Sequence, residues 1–345
     1  MSEHFLITSE NLPHYLVRRG LASSDEDVSV RPLGGGVSNL VLLVEWADDP
    51  HRRWVVKQSL EKLRVRDDWR SERGRIFREA ESIQALRPVL GEVALPEVIH
   101  IDRENFLFVM TAAPAGSQVW KDLLLGRRAD ARVAQQAGLL LGRMINASRG
   151  DRNLESQFRD QRVFDQLRID PYYRTTASRH PELRREFEDL IETSLGIRTS
   201  LVHGDYSPKN MLVRGSNIFL IDFEVIHWGD PAFDAAFLLN HLFLKAFHLP
   251  QIEALLIELA REFWKVLTEA LAFETSSTAG FEAWTMRHLG GLMLARIDGK
   301  SPVEYIQDEE TKARVRRAAK RILDTRPQEL GDAIRIVLGE IHGTH

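Results

Sequence analysis

The chain has 345 residues and a formal net charge of −4, with 43% hydrophobic and 28% charged residues. This composition is typical of a folded protein with a sizeable core and is too apolar for a disordered chain. The charge balance gives no excess that would attract nucleic acid or an anionic membrane surface. The sequence contains no Cys, which excludes disulfides, thiolate metal sites and a Cys nucleophile. We expect a cytoplasmic protein with no membrane partner, because the N-terminus lacks the basic and apolar blocks of a secretion signal.

Residues 1–112 are predicted to form a small domain that contains a β-sheet and one main helix. The segments VLLVEW and WVVKQSL have strand composition and are joined by the turn ADDPHRR, with a run of three glycines before them. A change to helical period follows the second strand. The predicted elements are, in chain order, a helix from Ser9 to Arg19 capped by Ser9, strands at 41–46 and 54–60, a helix at 71–86 that Pro88 ends, and strands at 97–101 and 106–110.

Residues 113–345 are predicted to form a larger and mostly helical domain. Its middle contains three short β-rich runs, which we expect to form a small hairpin on the helical body with the loop HGDYSPKN at its edge. The runs lie at 201–202, 211–213 and 218–221. The predicted helices lie at 129–147, 181–195, 231–246, 250–272, 281–297, 309–323 and 327–340.

The loop HGDYSPKN at 203–210 has the residue types needed to transfer a phosphoryl group. Asp205 can accept a hydroxyl proton, and Asn210 can offer an amide oxygen to Mg²⁺ at the spacing found in protein-kinase catalytic loops. Asp222 follows the strand IFLI, where its carboxylate would meet the same metal. Two protein oxygens with phosphate oxygens and water make an ordinary magnesium site.

The N-terminal domain contains residues suited to hold a nucleotide. Gly34, Gly35 and Gly36 with Ser38 and Asn39 would let backbone N–H groups approach phosphates without obstruction by Cβ atoms. Lys57 would bind the α- and β-phosphates, with Glu79 pairing it from the helix. A glycine loop, a Lys, a Glu, an Asp-Asn loop and a final Asp follow one another in the order found in kinases.

The segments GGGVSN, VVKQ, HGDYSPKN and LIDFE resemble those of the aminoglycoside phosphotransferase and choline kinase superfamily of small-molecule kinases. The resemblance implies an α+β, protein-kinase-like two-lobed fold that uses ATP, or GTP, with Mg²⁺ and a small-molecule acceptor. It implies that Asp205 is the catalytic base and that Asn210 and Asp222 are the metal ligands. It also implies that Lys57 and Glu79 position the nucleotide, and Met110, at the end of the strand before the linker, is assigned to the nucleotide site. The resemblance implies that His203 braces the loop backbone.

Two longer stretches, FDQLRIDPYY and IDFEVIHWGDPAFDAAFLLNHLFL, are similar to those of methylthioribose kinases within the superfamily. The chain departs from that branch at Asn210 and at Arg296, which stands alone where the branch has two adjacent arginines. The candidate substrate residues are Glu224, Trp228 and Arg296. Four acceptors stay open: a methylthioribose-like sugar, an aminoglycoside, a choline-like cation and a homoserine-like amino alcohol. A non-catalytic nucleotide-binding protein of the same fold is the alternative from another class, and the oligomeric state cannot be read from the sequence.

Overall fold

The computed structural model describes residues 5–34, 39–60, 72–273 and 275–343. The chain divides into two compact units, Met1–Ala115 and Gly116–His345. The predicted assignment of nucleotide binding to residues 1–112 and of acceptor binding to 113–345 concerns function and stays a prediction. No helix within the described ranges combines the length and the hydropathy of a segment that crosses a bilayer.

The first unit is built on a five-stranded antiparallel sheet with strand order β1-β2-β3-β5-β4. β2 presents Leu42, Val44 and Trp46 at alternate positions to a core that also contains Leu12 and Leu16 of the first helix. Its elements are α1 (Leu12–Arg18), β1 (Val28–Pro32), β2 (Asn39–Trp46), β3 (Arg53–Ser59), α2 (Arg75–Leu90), β4 (Val98–Asp102) and β5 (Leu107–Thr111).

Two sequence expectations about the helices of this unit are wrong. Ser9 does not cap α1; instead, the Thr8 and Asn11 side chains each accept a hydrogen bond from the backbone N–H of the other residue. Pro88 does not end α2, because the helix continues through it to Leu90. A proline so close to the end of a helix removes only one hydrogen bond of the last turn, which limits its effect.

The second unit is mostly helical. Its helices are α3 (Trp120–Leu125), α4 (Ala131–Ser148), α5 (Arg152–Phe158), α6 (Arg162–Phe164), α7 (Thr175–Arg179), α8 (Arg184–Gly196), α9 (Pro231–His248), α10 (Glu253–Ala270), α11 (Thr275–Asp298), α12 (Glu309–Thr325) and α13 (Leu330–His342), with a π-helical segment at Asp165–Arg174. Its strands are β6 (Gln118–Val119), β7 (Ser200–Val202), β8 (Met211–Arg214), β9 (Asn217–Leu220) and β10 (His227–Gly229).

The β-rich middle of this unit differs from the expectation in one respect. β8 and β9 form the predicted hairpin, and β6 extends it on the β8 side. β7 lies outside the hairpin and pairs with β10, so that Leu201 is opposite Trp228. The loop HGDYSPKN therefore runs from one small sheet to the other, and both of its ends are held by strand pairing.

α9 is the most completely buried helix of the described chain, since every residue from Pro231 to Phe247 is buried. Asp230 caps it by accepting a hydrogen bond from the N–H of Ala232 at 3.0 Å. A helix hydrophobic on all sides belongs in the centre of a domain, and neighbouring helices α10 and α11 cover it. Polar side chains on α9 are therefore inside the protein, where burial costs free energy unless each has a hydrogen-bond or charge partner.

The close contact between α4 and α10 yields a test of the packing. A Cβ atom at Gly138 would lie 2.5 Å from the carbonyl oxygen of Phe263 and 2.9 Å from the nitrogen of Leu267. We expect Gly138→Ala to lower the free energy of unfolding by about 1–3 kcal/mol, because both helix backbones would have to move apart. The matched control is Gly280→Ala in α11, where nothing lies within 4 Å of the added atom. Urea unfolding followed by circular dichroism should show the control equal to or more stable than the parent; an unaffected Gly138→Ala would contradict this packing.

Candidate functional site

The loop HGDYSPKN is fixed to the buried helix α9 by one carboxylate. Asp234 accepts hydrogen bonds from the backbone N–H groups of His203 at 2.6 Å and Gly204 at 2.9 Å. Gly204 has a φ of +75°, and a Cβ atom there would lie 2.7 Å from a methyl carbon of Val225. Only glycine fits this position without strain, so the first turn of the loop has a single well-defined path.

The His203 side chain connects the loop to the strand hairpin. Its Nε2 lies 3.2 Å from the carbonyl oxygen of Ile221, and its Nδ1 lies 3.2 Å from the backbone N–H of Asp205. This arrangement fits a neutral ring that donates from Nε2 and accepts at Nδ1. Burial lowers the pKa of His203 to about 4, despite the opposing charges of Asp205 and Asp222. A neutral His203 therefore holds the backbone of Asp205 and the strand before Asp222 together.

Asp205 is a buried carboxylate beside two cations. One of its oxygens, Oδ2, lies 2.9 Å from Nη2 of Arg168 and 2.9 Å from Nζ of Lys209. Burial alone would raise the pKa of Asp205, but the charges of Lys209 and Arg168 outweigh it and hold that pKa well below its ordinary value. Among the described residues, the second oxygen, Oδ1, has only a long contact of 3.5 Å with the Ser207 hydroxyl. One carboxylate oxygen is thus fixed by charge and the other can accept a further hydrogen bond.

Asn210 and Asp222 flank the end of the β8–β9 hairpin, Asn210 directly before β8 and Asp222 two residues after β9. The ladder pairs Met211 with Leu220, and beyond it the N–H of Ile221 donates to the carbonyl oxygen of Asn210 at 3.1 Å. The Asn210 amide nitrogen donates to the Asp205 carbonyl oxygen at 2.9 Å, which orients the side chain and leaves the amide oxygen as its other polar atom. Asp222 has a φ of +69°, a conformation that Asp tolerates better than most residues.

Lys57 and Glu79 form a buried ion pair in the first unit. The Lys57 ammonium donates to both carboxylate oxygens of Glu79 at 2.7 Å, and the side chains are 7% and 0% exposed. Lys57 lies on β3 and Glu79 on α2, so the pair also ties the helix to the sheet. The free-energy cost of desolvating two charges is offset only when their contact has good geometry. The bidentate contact between Lys57 and Glu79 meets this requirement.

The other nucleotide candidates of the first unit occupy different environments. Asn39 begins β2 and is buried, Met110 is buried on β5, and Gly34 is exposed at the end of the described segment before β2. The remaining candidates, Gly35, Gly36 and Ser38, lie outside the described residues.

The three substrate candidates all lie in the second unit. Glu224 is buried. Burial opposes the raised pKa of Arg168, and the negative charges of Glu224 and Asp222 both contribute to raising that pKa. Trp228 is a buried residue of β10, where its carbonyl oxygen accepts a hydrogen bond from Gln161. Arg296 lies on α11 and donates to the hydroxyl groups of Ser301 at 3.0 Å and Tyr172 at 3.3 Å.

Sequence reasoning missed the two cations beside Asp205. Lys209 was within the loop HGDYSPKN, where its position four residues after Asp205 was an available signal. Arg168 lies far away in the sequence, inside the π-helical segment, and also donates from Nε to the Gly204 carbonyl oxygen at 2.6 Å. The stretch FDQLRIDPYY drew attention as a whole, but nothing in its spacing singled out this arginine.

Comparison of the sequence with models of known families identifies the family to which the chain belongs. The family model described as the APH phosphotransferase enzyme family matches residues 29–269. The chain belongs to this family. The resemblance to this family in the sequence analysis is therefore confirmed.

A curated relative is the methylthioribose kinase of Escherichia coli O45:K1 (strain S88 / ExPEC), 25% identical over 281 residues. The match covers 72% of this chain and 66% of the relative, slightly less than two thirds of the relative's length. Identity at this level does not fix the acceptor.

Solved structures agree on the fold. The ADP-bound aminoglycoside phosphotransferase APH(2'')-Ib superimposes with a TM-score of 0.51 at 16% identity, over 92% of this chain and 98% of that one. The amicoumacin kinase hAmiN, in complex with AMP-PNP, Ca²⁺ and Ami, gives a TM-score of 0.54 at 15% identity, over 89% of this chain and 91% of that one. The α+β, protein-kinase-like fold class is thereby confirmed.

The neutral state of His203 predicts a pH dependence of stability. A histidine with a folded-state pKa of about 4 and an ordinary unfolded-state pKa costs nothing at neutral pH, and it destabilises the fold as pH falls below about 6.5. We expect His203→Gln, which can still donate to Ile221, to show a shallower loss of unfolding free energy between pH 6.5 and pH 4. Parallel denaturation curves at several pH values measure the difference. Identical slopes in parent and variant would mean that His203 is protonated in the folded protein.

Proposed function

We propose that the protein transfers the γ-phosphoryl group of ATP to a hydroxyl group of a small molecule, with Mg²⁺ and in the cytoplasm. The observation that carries the proposal is the juxtaposition of Asp205, Asn210 and Asp222 on one loop and one hairpin, held by Asp234 and His203. Family membership supplies the reaction type. The roles of individual residues are proposed from their geometry.

In this mechanism Asp205 orients the acceptor hydroxyl. Its Oδ1 accepts the hydrogen bond, while Arg168 and Lys209 hold Oδ2. A carboxylate with such a low pKa is a weak base, so it aligns the hydroxyl in the ground state and takes the proton late. This fits phosphoryl transfer, whose loose transition state demands positioning and charge neutralisation more than early proton removal.

The donors at the hairpin end fit a magnesium ion. The Asn210 amide oxygen and the Asp222 carboxylate are hard oxygen ligands, and the Asn210 nitrogen is already used by the loop backbone. Bound there, Mg²⁺ would neutralise phosphate charge. Among the described residues no group of three His, Asp or Glu side chains is arranged to hold a metal, so this amide and carboxylate pair is the proposed site.

We propose that Lys57, positioned by Glu79, binds the phosphates of the nucleotide. The bidentate pair fixes the ammonium group in one place, which suits a residue that must meet charged oxygens repeatedly. The glycines 34–36 with Ser38, Asn39 and Met110 complete the proposed nucleotide site. A structure of aminoglycoside 2'-phosphotransferase-IIIa has been solved with GDP, which supports testing GTP beside ATP as the donor.

The first acceptor to test is a methylthioribose-like sugar, supported by the curated relative. Glu224, Trp228 and Arg296 are the proposed acceptor contacts. The aminoglycoside phosphotransferases share the fold, but their low sequence identity to this chain does not support assigning their substrates to it.

The proposed function is tested by two substitutions, one at the proposed base and one at the proposed metal ligand, which should change different kinetic quantities. We expect Asp205→Asn to lower kcat by about 10²–10⁴-fold with little change in ATP affinity, because it removes the acceptor of the hydroxyl proton. We expect Asp222→Asn to raise the magnesium concentration needed for half-maximal rate. Magnesium-dependent release of ADP, measured over a panel of hydroxylated compounds, gives both quantities. Wild-type rates in Asp205→Asn would refute its proposed role.

The Lys57–Glu79 pair allows stability and nucleotide binding to be distinguished. We expect Lys57→Met to lower the free energy of unfolding by about 3 kcal/mol, since it leaves the buried Glu79 carboxylate without this cation. The double variant Lys57→Met/Glu79→Gln should recover most of that stability but not the affinity for ATP. Thermal unfolding and ATP titration of both variants make the comparison. Recovery of ATP affinity along with stability would assign Lys57 a structural role only.

A further inference from the structure

Lys245 is a fully buried lysine on the central helix α9. Its side chain is 0% exposed, and its ammonium donates one hydrogen bond, to the carbonyl oxygen of His241 at 3.2 Å. No carboxylate of the described chain lies within ion-pair distance of it. Burial lowers the pKa of Lys245 to about 7, and the positive charges of Lys121 and Arg296 act in the same direction. Besides that hydrogen bond the ammonium has a cation–π contact with the Tyr305 ring, and a buried cation without a counter-ion is still costly, which makes it a candidate binding group.

Two other donors lie beside Lys245 with unused capacity. The Tyr305 hydroxyl is buried and finds no hydrogen-bond partner among the described residues, and the Tyr305 ring centroid lies 5.1 Å from the Lys245 ammonium. Arg296 binds only neutral oxygens, those of Ser301 and Tyr172, and its buried Nε finds no partner in the described chain. Burial raises the pKa of Tyr305, so its hydroxyl stays a donor. We call Lys245, Arg296 and Tyr305 the donor cluster.

The charges around the donor cluster add to a positive excess. Lys121 is nearby, but it is paired with Glu304 at the partly exposed edge. His241 makes no hydrogen bond through its ring to any described residue, and burial with the charges of Lys245 and Arg296 lowers its pKa well below the ordinary value. The charge of Glu304 acts on Lys245 and Tyr305, but this carboxylate is already paired with Lys121. An added anion would find donors here that no described carboxylate uses.

The donor cluster is connected to Asp205 by a short series of contacts within the second unit. The Tyr172 ring lies 5.7 Å from the Arg296 guanidinium and 5.8 Å from that of Arg168, which pairs with Asp205. A second route runs along α9, where the rings of Phe237 and His241 are 5.2 Å apart and Phe237 lies 5.9 Å from the Arg168 guanidinium. The Tyr172 ring alone thus separates the guanidinium of Arg296 from that of Arg168, the partner of Asp205.

We propose that Lys245, Tyr305 and Arg296 bind an anionic group of the acceptor, a carboxylate or a phosphate, while its hydroxyl meets Asp205. Such a group would accept hydrogen bonds from the ammonium, the phenol and the guanidinium together. The inference rests on the proposed phosphoryl transfer to a small-molecule hydroxyl, but it assigns the acceptor to hydroxylated acids or phosphate esters in place of a neutral methylthioribose-like sugar. Cationic acceptors such as aminoglycosides or choline would meet repulsion from the same three side chains.

The test uses matched pairs of compounds that differ only in the anion. Glycerate is compared with glycerol, ribonate and ribose 5-phosphate with ribose, and kanamycin and choline serve as cations. Binding to the full-length protein is measured by calorimetry without turnover, so the result does not depend on phosphoryl transfer. We expect at least one anionic compound to bind about tenfold or more tightly than its neutral counterpart. The carboxylate and phosphate members of the ribose set distinguish the two kinds of anion.

Three variants then assign the effect to the donor cluster. Lys245→Met and Tyr305→Phe should each weaken binding of the preferred anion by about tenfold and leave binding of its neutral counterpart unchanged. Lys245→Met replaces a buried charge by an apolar side chain of similar length, so its thermal stability should not fall. The matched control is Lys320→Met on α12, where the lysine pairs with Glu182 outside the cluster; it should bind like the parent.

The outcomes separate this inference from the proposed function. If no anionic compound binds better than its neutral counterpart, or if Lys245→Met leaves the preference intact, the inference is wrong. If the anion binds through the cluster but no compound supports Asp205-dependent ADP release, the proposed function fails and the binding site stands. Turnover of a neutral sugar with no anion preference would support the function and overturn the inference.

Discussion

Asp234 accepts hydrogen bonds from two backbone N–H groups of the loop, and the rest of the site depends on this contact. α9 is buried along its length, so Asp234 occupies a fixed point inside the unit and determines the path of the loop at His203 and Gly204. The position of Asp205 follows from that path. His203, neutral because it is buried, carries the constraint across to Ile221 and so to the residue before Asp222. The three side chains proposed to carry the chemistry are therefore positioned through hydrogen bonds to the backbone of their own loop and hairpin.

A second constraint is electrostatic and acts in the opposite sense to the usual activation of a base. Two cations on one oxygen of Asp205 keep the carboxylate ionised and hold its pKa low, which weakens it as a proton acceptor. Under the proposed mechanism the same cations would also attract the oxygens of the transferring phosphoryl group. Orientation of the hydroxyl and attraction of phosphate oxygens are then supplied by one small group of residues, consistent with a reaction that gains more from positioning than from proton removal.

The sequence predicted those parts of the molecule in which local pattern and tertiary structure agree. The strands on either side of ADDPHRR and the long helices of the second unit have clear periodicity, and the motifs around Asp205 and Asp222 have a fixed spacing. The sequence pattern failed to predict structure where a contact with a residue far away in the sequence determines it. β7 could join the hairpin by composition, but it pairs with β10 instead. Arg168 becomes important only because a π-helical segment directs it at Asp205, and Pro88 is tolerated because α2 ends two residues later.

The buried lysine of α9 shows how ligand binding and folding can share one free-energy cost. Lys245 is fully buried without a described carboxylate to compensate it, so the free protein carries a penalty that an apolar residue at this position would avoid. A bound anion would remove that penalty at the same time as it forms its own hydrogen bonds. Part of the binding energy would then come from relief of an unfavourable interaction in the free protein. That energy is available only to a ligand with the correct charge, which makes the cluster a means of discrimination as well as of affinity.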